Sequence, residues 1–422
     1  MSSLLIKNIH AVDPGSNLDE TIDIYIDNGK IALIGNIDRA ADRIIDGTNL
    51  VAIPGMMDMH VHLRDPGFTH KEDIITGTNS AKAGGFTAVA CMPNTKPAVD
   101  NTETIKYIIT KAELTGVTVY PVGCITKGLS GHELTDFDEL KTAGCIAVSD
   151  DGRPVENAEL MRQALAKSKY YDLSVLSHCE DLNIINGGII NKGEVSKELG
   201  VKGMDRASED SVTAREIALA MSCNAHIHIC HVSTKGSVNI IRAAKKDGVN
   251  VTCETAPHYF TYTDQKLLNR DADYRMSPPL RTEEDRQAIE NAVLDGTIDC
   301  IVTDHAPHTK EEKANFLTAP NGVVGLETSL AVTLTQLYHS GKASLGKIAE
   351  LMSINPRKIL GIAPERIAEG YSCNLTIFDP ESEWEVIPAE LHSKSKNSVF
   401  KGEKLKGRVC YTISNGKIIF EL

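Results

Sequence analysis

Histidines and aspartates stand where short apolar runs end in this 422-residue chain, and that placement points to metal chemistry. One run closes on Asp58-Met59-His60-Val61-His62, where the period-two geometry of an extended strand turns His60 and His62 to the same side. Others close on Leu176-Ser177-His178-Cys179-Glu180, on Ile229-Cys230-His231-Val232-Ser233, and on Val302-Thr303-Asp304-His305-Ala306-Pro307-His308. A further run delivers Val148-Ser149-Asp150-Asp151-Gly152. A single His-x-His is ordinarily a pair of satisfied polar residues on a strand face. Repetition at five strand ends argues otherwise. Together these residues offer nitrogen and oxygen donors for two divalent ions sharing a carboxylate, a mixture that suits Zn2+. The ten cysteines include no C-x-x-C pair and mostly interrupt strand-like runs, so they read as buried free thiols.

The elements that must carry these side chains alternate in a regular way. Eight short apolar runs read as strands: Met56 to His60, Thr87 to Met92, Thr118 to Gly123, Cys145 to Ser149, Ser174 to His178, His226 to His231, Asn250 to Glu254 and Thr297 to Asp304. Periodic stretches at Glu156 to Tyr170, Ser211 to Ser222, Lys235 to Lys246 and Glu283 to Leu294 supply helices between them. Eight βα units predict an α/β chain folded as a (β/α)8 barrel, whose strand carboxyl ends share one mouth. No Gly-x-Gly-x-x-Gly follows a strand, which removes the best support for a dinucleotide fold. Both termini instead show alternating strands around an Asn-Gly turn, Ile26-Asp27-Asn28-Gly29-Lys30-Ile31 and Ile413-Ser414-Asn415-Gly416-Lys417-Ile418. Neither has strands enough for a stable sheet alone, so the two ends are expected to form one small β domain. The expected division is 1–52 and 371–422 for that domain and 53–370 for the barrel.

Composition narrows the function classes. With 41% hydrophobic and 24% charged residues, the chain has the balance of an ordinary globular protein rather than a disordered one. A net charge of -13 disfavours nucleic acid and anionic lipid as partners. No apolar run approaches the ~18 residues of a membrane span, and the N-terminus lacks a leader pattern, so a cytoplasmic location is expected.

In combination these residues resemble the cyclic amidohydrolases, and among them the bacterial type I dihydroorotases. The likeness spans almost the whole chain: Pro54-Gly55, His60-Val61-His62-Leu63-Arg64-Asp65-Pro66-Gly67, Met92-Pro93-Asn94-Thr95, Asp150-Asp151-Gly152, His178-Cys179-Glu180-Asp181 and Thr303-Asp304-His305-Ala306-Pro307-His308. The resemblance implies His60, His62 and Asp304 on one zinc, His178 and His231 on the other, and Asp151 with a hydroxide as the bridge. In that arrangement no modified lysine is expected, Asp304 doubles as catalytic base and acid, and His305 supports the groups beside it. His226 and His228, earlier on their strand, are read as structural.

The activity so implied is reversible closure of N-carbamoyl-L-aspartate to L-dihydroorotate in pyrimidine biosynthesis. That substrate carries a carboxylate outside the reacting ring, and a guanidinium fork is its natural partner. By resemblance the substrate contacts are His62, Arg64, Asn94, Ser277, His308 and the backbone at Asn321-Gly322. The polar stretch Thr309 to Phe316 is a candidate cover for the mouth. One departure stands out, because family members usually have Asn before the paired prolines where this chain reads Ser277-Pro278-Pro279. Two alternatives share the scaffold: a hydantoinase or dihydropyrimidinase, against which Arg64 speaks, and a silent homologue that partners aspartate carbamoyltransferase, against which the complete ligand set speaks. A homodimer is the expectation from base rates.

Overall fold

The computed structural model describes residues 3–422. Eight short parallel strands form the central sheet: β1 (Met56–Val61), β2 (Phe86–Cys91), β3 (Thr118–Cys124), β4 (Ala147–Ser149), β5 (Ser174–Ser177), β6 (Ile227–Ile229), β7 (Val251–Thr255) and β8 (Cys300–Ile301). They lie side by side in chain order from β1 to β8. Closure between β8 and β1 is made just past β8, where the His62 amide donates to the His305 carbonyl at 2.8 Å. The buried Asp58 carboxylate reinforces the seam by accepting from the amides of His60 (2.9 Å) and Thr303 (3.0 Å). The eight strands anticipated from apolar runs are therefore present as a (β/α)8 barrel, although several are shorter than the runs that announced them. The run from Thr297 to Asp304 contributes only Cys300–Ile301 to the ladder.

Two layers of apolar side chains fix the architecture. Inside the barrel, Met57, Met59, Ala88, Ala90, Val122, Leu176, Cys230 and Cys300 pack together. Outside, Val61, Val89, Val148, Ile227, Ile229 and Ile301 meet the inner faces of the surrounding helices. Helix boundaries follow local chemistry. Asn157 caps Ala158–Tyr170 through the amides of Glu159 and Leu160, and Thr282 with Asp285 forms a capping box at Glu283–Asp295. Gly296, in the left-handed region, ends the latter helix.

The terminal segments meet in a second, mainly antiparallel sheet. Leu18–Asp27 pairs with Lys30–Gly35 across Asn28-Gly29, and Lys404–Ser414 pairs with Lys417–Glu421 across Asn415-Gly416. In both turns the two central residues have positive φ (49° and 80°; 48° and 73°), the geometry that makes Asn-Gly the favoured pair. Leu375–Phe378 pairs with Val51–Pro54, so strands from the two ends of the chain are direct neighbours. The two turns also touch, since a Cβ on Gly416 would stand 2.6 Å from the Gly29 Cα.

Candidate metal centre at the barrel mouth

Side chains from five strand ends converge at the carboxyl side of the barrel. The Asp151 carboxylate, following β4, is at their centre. Its Oδ1 lies 3.2 Å from His178 Nδ1, 3.5 Å from His231 Nε2 and 3.4 Å from His60 Nε2, while its Oδ2 lies 3.5 Å from His62 Nε2. Asp304 Oδ1 approaches His62 Nε2 at 3.1 Å and His60 Nε2 at 3.7 Å. All six residues are buried. Two triads with one donor atom each within 4.8 Å of one another, His60–His62–Asp151 and Asp151–His178–His231, share Asp151.

Simple alternation along the strands would not bring these groups together. On β1, Met57 and Met59 point into the barrel whereas Val61 faces the helices, because the ladder is irregular between Asp58 and Val61. That irregularity resets the phase and turns His60 and His62 inward. On β6, His228 shares the phase of the inward Cys230, and His231 joins the cluster only because its φ is +34°. Asp304 (φ +48°) and Arg64 (φ +59°) are likewise left-handed. Three non-glycine residues in this region, all at one mouth, are the kind of backbone cost that accumulates at functional sites.

The electrostatics of the cluster are those of compensated buried charge. Burial opposes ionisation of Asp151, but the imidazoles of His60, His178 and His231 hold its carboxyl well below the usual range. Burial opposes protonation of His60 as well, and Glu254 with Asp151 raises it well above the usual imidazole range. His178 is pushed up to about 10, against burial, by its bonds to Asp151 and Glu180. Asp304, opposed by burial, is held low by the hydrogen bond from His62 and by the charge of His60. The buried His60 Nε2 and His231 Nδ1 have no hydrogen-bond partner among the described residues. A cluster of carboxylates and imidazoles with converging donors fits divalent ions, whose charge would replace that of the protons.

Behind the cluster, further groups fix ring orientation. Glu254, at the end of β7, accepts from His60 Nδ1 at 2.5 Å and faces His228 Nε2 at 3.2 Å. Glu180 accepts from His178 Nε2 at 2.7 Å, and Asn94 Oδ1 accepts from His62 Nδ1 at 2.8 Å. Glu180 also accepts the Ser277 hydroxyl at 2.7 Å, so Ser277 is in hydrogen-bond contact with the support of His178. Sequence reasoning did not single out Glu254 or Glu180 as supports. For Glu180 the usable signal was a carboxylate two residues past His178 at the same strand end; Glu254 closes a strand without a histidine, and its only signal was a carboxylate at a strand end. His305 turns from the cluster toward Glu72, at 3.4 Å, and accepts from the Gly325 amide. His226 immediately precedes β6, between the hydroxyls of Ser174 and Thr252, and His228 also contacts Thr252.

On the rim, Arg64 donates from Nε to the Pro307 carbonyl at 3.3 Å and places NH2 3.3 Å from His308 Nε2. Among the described residues no carboxylate forms a salt bridge with this guanidinium, which Asp304 and Asp151 influence only from a distance. His308 Nε2 lies 2.9 Å from the Asn321 carbonyl. Burial, with the charges of Arg64, Lys71 and Lys313, lowers its imidazole to about 3, leaving it neutral. Gly322 packs so closely that a Cβ would stand 2.6 Å from the Ala306 carbonyl oxygen, at a φ of +140° that also favours glycine.

Comparison with known proteins identifies the family and the fold. A family model described as "Dihydro-orotase-like" matches residues 49–237. A dihydroorotase of Geobacter metallireducens is 49% identical over 99% of this chain and 100% of its own length. One of Acetivibrio thermocellus is 47% identical over 99% and 98%. Among solved structures, an L-hydantoinase (dihydropyrimidinase) from Arthrobacter aurescens superposes with a TM-score of 0.88 at 25% identity, covering 100% of this chain and 96% of its own. A dihydropyrimidinase from Brevibacillus agri, at 23% identity and a TM-score of 0.85, shares the fold.

Proposed function

The chain belongs to the dihydroorotase family of cyclic amidohydrolases, and from that premise we propose how its mouth performs the reversible closure of N-carbamoyl-L-aspartate to L-dihydroorotate. His60, His62 and Asp304 would hold one divalent ion, His178 and His231 a second, and Asp151 would serve both. Zinc is the metal this donor set favours. When bound, such ions supply Lewis acidity that polarises the amide carbonyl and acidifies water.

The protein's own residues supply the rest. Asp304 is the base that takes a proton from the attacking water and returns it to the departing ring nitrogen; ring closure runs the same transfers backward. His62, held by Asn94, and His60, held by Glu254, keep fixed orientations while this happens. Arg64 binds the carboxylate outside the ring, with Asn94, His308, Ser277 and Asn321-Gly322 completing the substrate site. The observation that carries this assignment is the half-buried Arg64 guanidinium, beside the cluster and without a carboxylate partner among the described residues. A neutral hydantoin or dihydrouracil gives that group nothing to bind, whereas dihydroorotate matches it.

The same proposal includes a cytoplasmic homodimer, association with aspartate carbamoyltransferase, and a division into a barrel (53–370) and a terminal-segment domain. Among the described residues no helix is long and apolar enough to cross a membrane. The deciding experiment compares turnover of dihydroorotate, dihydrouracil and hydantoin by the zinc-loaded protein. Preference for either uncharged ring would overturn the assignment of Arg64.

A further inference from the structure

Lys313 lies in the charged run Lys310-Glu311-Glu312-Lys313, which reads as solvated, yet it is 7% exposed and makes no salt bridge among the described residues. Its Nζ donates to three backbone carbonyls: Ala272 at 3.0 Å, Arg275 at 3.0 Å and Pro320 at 2.9 Å. An ammonium has three N–H donors, and here each has a carbonyl. Ala272 and Arg275 belong to the segment that follows β7 and leads to Ser277. Pro320 belongs to the segment that follows β8 and immediately precedes Asn321.

A second cation completes the link in the opposite sense. Arg275, 5% exposed, donates from NH1 to the Phe316 carbonyl at 2.5 Å. The carbonyl of Arg275 also accepts the Gly322 amide at 3.0 Å. Each segment thus presents a buried cation to the other's backbone. Such contacts specify backbone position more tightly than a surface ion pair between flexible side chains, because a carbonyl cannot rotate independently of its chain.

We propose that Lys313 is a positioning residue: with Arg275 it clasps the segment after β7 to the segment after β8 and so sets where His308 and Asn321-Gly322 stand. This rests on the proposal that those residues meet substrate. Lys313 itself touches neither substrate nor the metal cluster. Losing it frees the 309–322 segment while leaving the six central His and Asp residues in place.

The test is Lys313→Ala in the full-length, zinc-loaded protein. The KM for dihydroorotate should rise about tenfold with kcat within about threefold, since a loosened contact loses binding more than chemistry. Zinc content should be unchanged, and amide exchange of residues 309–322 in the free protein should accelerate at least tenfold. Added n-butylammonium, but not n-butanol, should restore part of the KM by refilling the carbonyl cage. A KM within twofold of the parent, or unchanged exchange in 309–322, overturns the clasp. Should Lys313→Ala fail to fold, Arg275→Gln, which removes the donor to Phe316, is read by the same two criteria. Exchange is measured without substrate, so failure of the parent protein to turn over dihydroorotate would count against the substrate assignment and not against the clasp.

Discussion

Replacing Glu254 by Gln alters hydrogen bonding behind His60 and almost nothing of the volume. Glu254 is fully buried, with Oε1 2.5 Å from His60 Nδ1 and Oε2 3.2 Å from His228 Nε2. Burial opposes its charge, yet His60 and His228 hold its carboxyl well below the usual range; Oε1 accepts from His60, while Oε2 faces the His228 ring without a hydrogen bond. A glutamine can still offer its carbonyl oxygen to His60, but its amide NH2 then faces His228. His228 must change tautomer, donating from Nδ1 to the Thr252 hydroxyl that lies 2.8 Å away. That exchange is sterically free, so the loss is mainly the charge on the bond to His60. A charge-assisted bond exceeds a neutral one by about 1–2 kcal/mol. Zinc affinity should therefore fall about 5- to 30-fold. The assay is competition between metal-free protein and a coloured chelator at fixed pH, with a melting curve to establish that the variant is folded. Parental affinity in a folded Glu254→Gln protein would refute the reasoning, because His60 would then be oriented without the carboxylate.

Other perturbations test neighbouring parts. Arg64→Met should raise the KM for dihydroorotate about 10- to 100-fold with little change in kcat, the value of a charge-assisted contact of about 1.5–3 kcal/mol; an unchanged KM removes Arg64 from the substrate site. Asp304→Asn should lower turnover by at least about a hundredfold, and elemental analysis of the same sample separates a lost base from a lost metal. Acid stability offers a check away from the mouth. Burial, helped by His228, lowers His226 to about 4, whereas an unfolded histidine titrates near ~6.5. Between these values only the unfolded chain takes up the proton, so His226 makes stability fall as pH falls from about 6.5 to 4, by about 2 kcal/mol given its partial exposure. His226→Gln should flatten that part of the urea-unfolding profile, and an identical slope in variant and parent would contradict it.

The parts of the molecule most readable from sequence were those where local chemistry and tertiary position coincide. Asn28-Gly29 and Asn415-Gly416 are turns for backbone reasons that operate within four residues, and both form as expected. The barrel was legible because eight apolar runs had only a few ways to be buried. The arrangement of His60 and His62 was legible only in part: their shared side follows from alternation, but their inward direction depends on the irregularity between Asp58 and Val61. His231 is out of phase with His228, and no periodic pattern announces a φ of +34°. Glu254 escaped notice because its partner His60 lies 194 positions away. Lys313 escaped because a charged run normally faces water, and only the folded segments show three carbonyls awaiting its ammonium.

The pairing of Val51–Pro54 with Leu375–Phe378 also bears on how the protein is made. The Met56 amide bonds to the Thr376 hydroxyl across 320 positions, and closing a flexible loop of that size costs about 5 kcal/mol. A barrel already folded between them removes most of this cost by holding the two ends near one another. Ribosomal synthesis favours the same order, since Ala52 and Ile53 emerge long before their partners. Until those arrive, they form an open strand edge able to pair with another nascent copy. Pairing of Leu375–Phe378 with Val51–Pro54 closes that window, and the Gly416 turn then seats on the Gly29 turn.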